Sequence, residues 1–140
     1  MNVKEVVNHT VKKYHSRCPY ELAEHLNIHI EKCELGQIRG YYLKAYRIKQ
    51  IFLNCNLTKE TERFVLAHEI GHSLLHPDAN APFLREHSFL SVDKLEIEAN
   101  KFAIELLLPD DVIEQYKDYN VEQLSRILGY HEKLIELRLK

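Results

Sequence analysis

Residues 64–76 read FVLAHEIGHSLLH, a segment with helical character that contains a His-Glu-x-x-His motif. Positions i and i+4 of a helix differ by about 40° around the axis and about 6 Å along it, so the imidazoles of His68 and His72 can converge on one metal ion. Glu69 lies roughly 60° from His72 around the helix, and its carboxylate can reach a water molecule at the ion's open position without binding the ion. The motif predicts two metal-binding histidines and a catalytic glutamate.

The helix around this motif is apolar on nearly every side, which predicts that it is buried. Thr58 is its expected N-cap, and we expect it to run to about His76 before Pro77 ends it. An ionised carboxylate is costly to bury alone, and a divalent cation with its water removes that cost. The alternative interpretations are hydrogen-bonded core histidines, or a solvated strip in which a glutamate and a histidine one turn apart make contact.

A second helix is predicted from near Asp93 to just before Pro109, and a third metal ligand is expected from it. Glu98 and Glu105 lie about 180° to 200° around this helix from Glu96. The periodicity therefore predicts that only Glu96 faces the core and binds the metal.

The neighbours of Glu96 fit this role. Ala99 and Ala103 are small and would allow the two helices to approach closely, and Asn100 could hold a ligand imidazole in place through a hydrogen bond. The alternative for Glu96 is structural, because Asp93 and Glu96 also fit a capping box at the start of a helix.

Composition indicates one globular domain, residues 1–140, with 45% hydrophobic and 29% charged residues. The net charge is −2 and no long run of either sign occurs, which argues against direct nucleic-acid binding. The three cysteines form no C-x-x-C pair, which argues against a disulfide framework. The charged first 15 residues do not fit a signal peptide, and no segment fits a membrane span, so a cytoplasmic protein is expected.

The remaining elements predict an α+β fold. Residues 3–15 have helical spacing, a short helix opens at Pro19, and β-branched and aromatic residues in 28–33 and 40–54 predict two or three antiparallel strands. A polar loop is expected from Asp78 to Ser91. Short closing helices are expected in residues 111–116, 121–128 and 132–139.

Two blocks of the sequence, residues 64–76 and the segment EIEANKFAIELLLP at 96–109, resemble the ImmA/IrrE metallopeptidases. A weaker similarity occurs at residues 19–23 and 51–54, and residues 121–139 resemble the last helices of the family, so the resemblance covers most of the chain. Leu108 departs from the family, in which methionine is usual before the proline.

The resemblance implies a compact minimal zincin, with a small antiparallel sheet packed on the His-Glu-x-x-His helix and a second ligand-bearing helix. One Zn²⁺ per chain would be bound by His68, His72 and Glu96. Glu69 would be catalytic, and Asn100 would support a ligand.

Members of this family act as antirepressors in bacterial cells and mobile elements. The function implied is a zinc-dependent endopeptidase that hydrolyses a peptide bond in a cytoplasmic regulatory protein, with a helix-turn-helix repressor as the partner. The alternative is a noncatalytic, metal-stabilised binding module that inactivates a repressor or acts in a toxin-antitoxin pair. Neither hypothesis includes a membrane or a directly bound nucleic acid as a partner.

The expected chemistry is metal-assisted hydrolysis in which Glu69 takes a proton from water and returns it to the leaving amine. A further donor to the oxyanion is expected, and the candidates are Tyr41, Tyr42, His76 and His87. For the two tyrosines a structural role in a strand is the alternative, and for His76 it is packing. An extended substrate could pair with a sheet edge formed within residues 40–54.

Overall fold

Two helices and three strands precede a long central helix, and four further helices close the chain. The computed structural model describes residues 2–78, 83–84 and 93–140. Within these residues the elements are α1 (Val3–Tyr14), α2 (Pro19–His25), β1 (Ile28–Cys33), β2 (Ile38–Ala45), β3 (Ile48–Asn54), α3 (Lys59–Leu75), β4 (Phe83–Leu84), α4 (Lys94–Leu107), α5 (Asp110–Gln115), α6 (Val121–Leu128) and α7 (Glu132–Leu139). The α+β class is confirmed.

The strands form one sheet in the order β1-β3-β2-β4. β2 pairs with β3 and with β4 in antiparallel fashion, but β1 pairs with β3 in parallel. The sheet is therefore mixed, and the prediction of a wholly antiparallel sheet was wrong. The tight connection between β2 and β3 places β2 on one side of β3, so β1 pairs with the other side, where its direction is parallel.

Helix α3 lies against this sheet, and Gly40 in β2 allows the close approach. A Cβ atom at Gly40 would lie 2.8 Å from the carbonyl oxygen of Phe52 and 2.9 Å from Cγ1 of Val65 on α3. On its other side α3 packs against α4, where a Cβ at Gly71 would lie 3.0 Å from Cβ of Phe102. These glycines let α3 sit between the sheet and α4.

Both central helices begin at the predicted caps. The Thr58 side chain accepts a hydrogen bond from the Thr61 amide, and Asp93 accepts from the amides of Leu95 and Glu96. Eleven of the seventeen residues in α3 are buried, including His68, Glu69 and His72. The prediction of a buried His-Glu-x-x-His helix is confirmed.

Helix α4 is buried on two sides, which the periodicity argument missed. Glu105 is only 5% exposed, and it pairs with Lys101 at 3.2 Å and with Arg138 of α7 at 3.6 Å. The prediction that only Glu96 faces the core was therefore wrong. The reason is that α4 packs between α3 and α7, so opposite faces of the helix are both covered.

The segment predicted as a loop between Asp78 and Ser91 contains the two residues of β4, which pair with β2 opposite Ile38 and Gly40. Most of that segment, including His87, lies outside the described residues. Among the helices that are described, none has the length and apolar character needed to cross a bilayer.

Candidate metal centre

The packing of α3 against α4 brings two histidines and one glutamate together in the interior. His68 and His72 project from α3, and Glu96 projects from the first turn of α4. Nε2 of His68 lies 3.0 Å from Oε2 of Glu96, and Nε2 of His72 lies 2.8 Å from Oε1 of the same carboxylate. One ligand atom from each residue lies within 4.8 Å of the others, and all three residues are buried.

The orientation of His68 is set by Asn100. Its Nδ1 lies 2.8 Å from Oδ1 of Asn100, so Nδ1 carries a proton and donates it to the amide oxygen. Burial lowers the pKa of His68 below its ordinary 6.5, which favours the neutral ring. A neutral ring protonated at Nδ1 has its lone pair on Nε2, and this is the atom that faces Glu96.

His72 is oriented by a chain of two hydrogen bonds that ends at Glu98. Oε1 of Glu98 lies 2.9 Å from Nε2 of His76, and Nδ1 of His76 lies 3.1 Å from Nδ1 of His72. The carboxylate can only accept, so in a neutral His76 ring Nε2 donates and Nδ1 accepts from His72. Nε2 of His72 then carries a lone pair. It lies 2.8 Å from Oε1 of Glu96, close enough to stabilise that carboxylate, although the alignment is not that of an ordinary hydrogen bond.

These atoms fit a bound cation. Burial raises the pKa of Glu96, but the two imidazoles beside it more than offset that effect and hold its pKa at about 2, so the group is a carboxylate. The Nε2 atoms of His68 and His72 lie 2.8 to 3.0 Å from the carboxylate oxygens, so a proton or a metal ion must lie between each nitrogen and the carboxylate. Asn100 and His76 can hold the ring protons on the two Nδ1 atoms, which leaves the Nε2 atoms able to bind a metal ion in place of protons. Tetrahedral zinc with bonds of about 2.0 to 2.1 Å separates its ligand atoms by about 3.3 Å, close to these distances.

Glu69 lies beside this cluster and has no side-chain partner among the described residues. It is completely buried, and the backbone amide of Tyr42 acts on its carboxylate without reaching ordinary hydrogen-bond geometry. Oε2 lies 3.9 Å from Nε2 of His68. Burial and the charge of Glu96 raise its pKa well above 4.5, while the backbone amide of Tyr42 opposes them. A buried carboxylate in this state is suited to exchange a proton with a molecule in the cleft.

The four candidates for an oxyanion donor lie in different environments. The Tyr42 side chain is 1% exposed, and its hydroxyl has no hydrogen-bond partner among the described residues. Burial and the charge of Asp78 raise the pKa of Tyr42. Tyr41 points to the opposite face of the sheet, where it stacks on Phe52. His76 is engaged between His72 and Glu98, and His87 lies outside the described part of the chain.

Glu98 is the residue of this site that the sequence analysis missed. Its position around α4 is far from that of Glu96, but a glutamate side chain is long enough to contact a residue of the neighbouring helix from there. In the sequence, His76 indicated such a partner, because it extends the motif on α3 by one turn. A histidine there calls for a partner to fix its ring, and Glu98 on the adjoining helix supplies it.

Comparison with known proteins identifies one matching family and two similar proteins. A family model described as the IrrE N-terminal-like domain matches residues 23–140. The uncharacterized immunity region protein 2 of Bacillus phage phi105 is 42% identical over 139 residues, covering 97% of this chain and 88% of that protein. The metallopeptidase ImmA of Bacillus subtilis (strain 168) is 32% identical over 117 residues, covering 84% of this chain and 69% of that protein. The chain therefore belongs to the ImmA/IrrE family of metallopeptidase-like proteins.

Proposed function

We propose that this protein is a zinc-dependent endopeptidase that hydrolyses a peptide bond in a cytoplasmic regulatory protein, specifically a helix-turn-helix repressor. The observation that carries the proposal is the convergence of the Nε2 atoms of His68 and His72 with the Glu96 carboxylate, next to a buried Glu69 that has no side-chain partner in the described parts of the chain. A metal that served only to stabilise the fold would not need that carboxylate beside it.

His68, His72 and Glu96 would hold the ion, and Asn100 and His76 would keep the two imidazoles in the orientation that binding needs. When bound, zinc supplies Lewis-acid chemistry, which makes a water molecule more acidic and polarises a carbonyl group. Two nitrogens and one carboxylate are a ligand set found in catalytic zinc sites, which keep a further position open.

Glu69 would act as the general base and then as the general acid. Its carboxylate takes a proton from the attacking water and returns that proton to the nitrogen of the leaving amine. No side chain in the described parts of the chain hydrogen-bonds either oxygen, which leaves the carboxylate available for this transfer. Its burial also favours the protonated form that must exist between the two steps.

The outer edge of β2 would bind the substrate backbone. β4 pairs with β2 only at Ile38 and Gly40, so the edge beyond them, from Tyr42 to Ala45, has no partner among the described strands. The amide of Tyr42 lies near the Glu69 carboxylate, so a peptide added to this edge would pass the proposed site. Main-chain pairing of this kind makes few demands on the substrate's side chains.

Tyr42 is the candidate that we favour as the donor to the oxyanion. Its hydroxyl is buried and unpaired, and a buried polar group without a partner is costly unless function requires it. Replacement by phenylalanine should lower kcat by about 10²-fold to 10³-fold with little change in zinc content. A kcat for Tyr42→Phe equal to that of the unchanged protein would remove Tyr42 from the mechanism.

The nature of the substrate is supported by the relatives. One is named as an immunity region protein of a phage and the other as a metallopeptidase, which supports the cleavage of a regulatory protein. The net charge of −2 gives no support for direct nucleic-acid binding.

The proposal is tested by incubating the zinc-loaded protein with the helix-turn-helix repressor encoded beside it. A new repressor fragment should appear, a chelator should block it, and Glu69→Gln should retain zinc while producing no fragment. Equal cleavage by Glu69→Gln would contradict the proposed mechanism.

A noncatalytic, metal-stabilised binding module, acting on a repressor or within a toxin-antitoxin pair, is the second candidate. The observation that favours it is the burial of all three metal-binding side chains between α3 and α4, which also suits a structural metal. Full repressor inactivation by Glu69→Gln in cells, without any cleavage, would select this function over the first.

A further inference from the structure

The residues of the turn between β2 and β3 are ones that disfavour the backbone conformation of this turn. Ala45 and Ile48 pair across the two strands, so Tyr46 and Arg47 form a two-residue loop. Both have positive φ, 53° and 70° respectively. Loops of this type favour Asn-Gly or similar pairs, because in the left-handed region a Cβ atom lies too close to a backbone carbonyl oxygen. Strain of this kind is concentrated at functional positions.

The charges at this hairpin tip, residues 44–49, also oppose its formation. Lys44 and Lys49 are directly opposite each other in the register, and like charges in that position destabilise a strand pair. Neither of these lysines nor Arg47 forms an ion pair or a hydrogen bond within the described parts of the chain. Three cations are therefore held together on one short hairpin, and no acidic side chain among the described residues pairs with them.

The same tip exposes apolar surface. Tyr46 is 97% exposed and Ile48 is 61% exposed. Ile48 alternates with Lys49 along β3 and so projects from the opposite face of the hairpin, while Tyr46 lies in the loop between the two strands. The face that carries Lys44 and Lys49 is therefore cationic, and it suits a partner that carries acidic groups. Local strain, unbalanced charge and exposed apolar groups coincide on six residues, and none of them helps the hairpin to fold.

The position of the tip connects it with the proposed active site. Side chains alternate along a strand, so Lys44 projects from the same face as Tyr42, which packs toward α3. Lys44 lies two residues beyond Tyr42, a distance of about 7 Å along the strand. Lys49, its partner in the register, faces the same way. A peptide paired with the edge of β2 from Tyr42 to Ala45 would thus extend from the proposed active site to a position beside these two lysines.

We propose that the hairpin tip is a docking element that binds an acidic segment of the protein substrate, flanking the bond to be cleaved. This rests on the proposed function only in treating the bound protein as a substrate. The partner is a protein rather than a nucleic acid because the tip continues a strand edge, which pairs with an extended polypeptide, and because the molecule as a whole is acidic.

The test is a binding measurement on the zinc-loaded Glu69→Gln protein, so that no cleavage is required. The probe is a fluorescein-labelled peptide of alternating threonine and glutamate, compared with the same peptide carrying glutamine in place of glutamate. The acidic peptide should bind more tightly. Lys44→Glu combined with Lys49→Glu should weaken its binding by about tenfold or more, and added salt should reduce the difference.

The matched control is Lys12→Glu combined with Lys140→Glu, which changes the net charge by the same amount on exposed residues of α1 and the C-terminus. It should leave peptide affinity nearly unchanged. Equal affinity for the two peptides, or an equal loss in the control, would overturn the proposal. So would tighter binding of a single-stranded oligonucleotide of the same charge, which would identify a nucleic-acid site instead.

A single substitution separates docking from folding. Lys44→Glu places opposite charges across the strand pair, so it should raise Tm by about 1 to 4 °C. The same substitution should lower the affinity for the acidic peptide. A Tm increase with unchanged affinity would contradict docking. The docking test and the test of proteolysis can fail separately. Glu69→Gln can bind the acidic peptide even if the protein never cleaves a repressor, and it can fail to bind the peptide even if the unchanged protein does cleave one.

Discussion

At the scale of the residue, the candidate centre depends on which nitrogen of each imidazole carries a proton. Asn100 fixes this for His68, and the chain through His76 to Glu98 fixes it for His72. Both rings consequently present Nε2 to the Glu96 carboxylate. Hydrogen bonds of this type hold ligand side chains in place and tune their basicity.

Removal of the Glu98 carboxylate should therefore weaken metal binding, although the residue does not itself face the ion. We expect Glu98→Ala to lower zinc affinity by about 10-fold to 100-fold, because His76 loses the acceptor that fixes its ring. Competition with a chromophoric chelator would measure it. Glu132→Ala, at an exposed glutamate of α7, is the control, and an identical affinity for the two variants would remove Glu98 from the site.

Glu69 should destabilise the metal-free protein at neutral pH. Its pKa is raised in the folded state, so the folded protein binds more protons than the unfolded chain, and stability falls as the pH rises above about 4.5. Glu69→Gln has no such carboxylate. In urea unfolding of the metal-free proteins, the variant should be increasingly more stable than the unchanged protein as pH rises from about 5 to 8. The same dependence of unfolding free energy on pH in the two proteins would contradict this prediction.

Much of this site could be predicted from the sequence, since the spacing of His68 and His72 follows from helix geometry alone. Glu96 and Asn100 follow from the periodicity of a second helix, provided that the two helices meet. Glu98 does not, because its contact with His76 depends on how far α4 is rotated against α3. That rotation is set by packing, including the contact between Gly71 and Phe102.

At the scale of the element, the helices are defined by local signals and the sheet is not. Caps such as Thr58 and Asp93 and stop signals such as Pro77 and Pro109 act within a few residues of the helix that they bound. Strand order depends instead on contacts that are distant in sequence. The parallel pairing of β1 with β3, and the short β4, follow from the closure of the β2–β3 hairpin and could not be derived from alternation alone.

The junction between α4 and α7 offers a test of element packing. Arg138 is 5% exposed and donates to the Leu108 carbonyl at 2.7 Å and to Asp110 at 2.6 Å. Arg138→Leu should lower the free energy of unfolding by about 3 to 5 kcal/mol, because it removes the hydrogen bonds to Leu108 and Asp110 and leaves the buried Glu105 paired with Lys101 alone. Arg126→Leu, which removes an exposed pair with Glu122, should cost less than about 1 kcal/mol. Similar costs in chemical denaturation would refute this account.

At the scale of the whole molecule, the sheet and α4 enclose α3 from two sides, and the metal-binding groups lie on the inner helix pair. Glycines at both contacts make this possible, because Gly40 lets the sheet approach α3 and Gly71 lets α4 approach it. The edge of β2 from Tyr42 to Ala45 has no partner among the described strands, and under the proposed function a substrate backbone added there would pass Glu69. The hairpin tip extends from the same edge.

Zinc content measured after exhaustive dialysis tests most directly whether three side chains from α3 and α4 hold one divalent ion. We expect one zinc per chain in the unchanged protein and in Glu69→Gln, and loss of the metal from His68→Ala and from Glu96→Ala. Retention of a full equivalent of zinc by Glu96→Ala, with unchanged affinity, would contradict it.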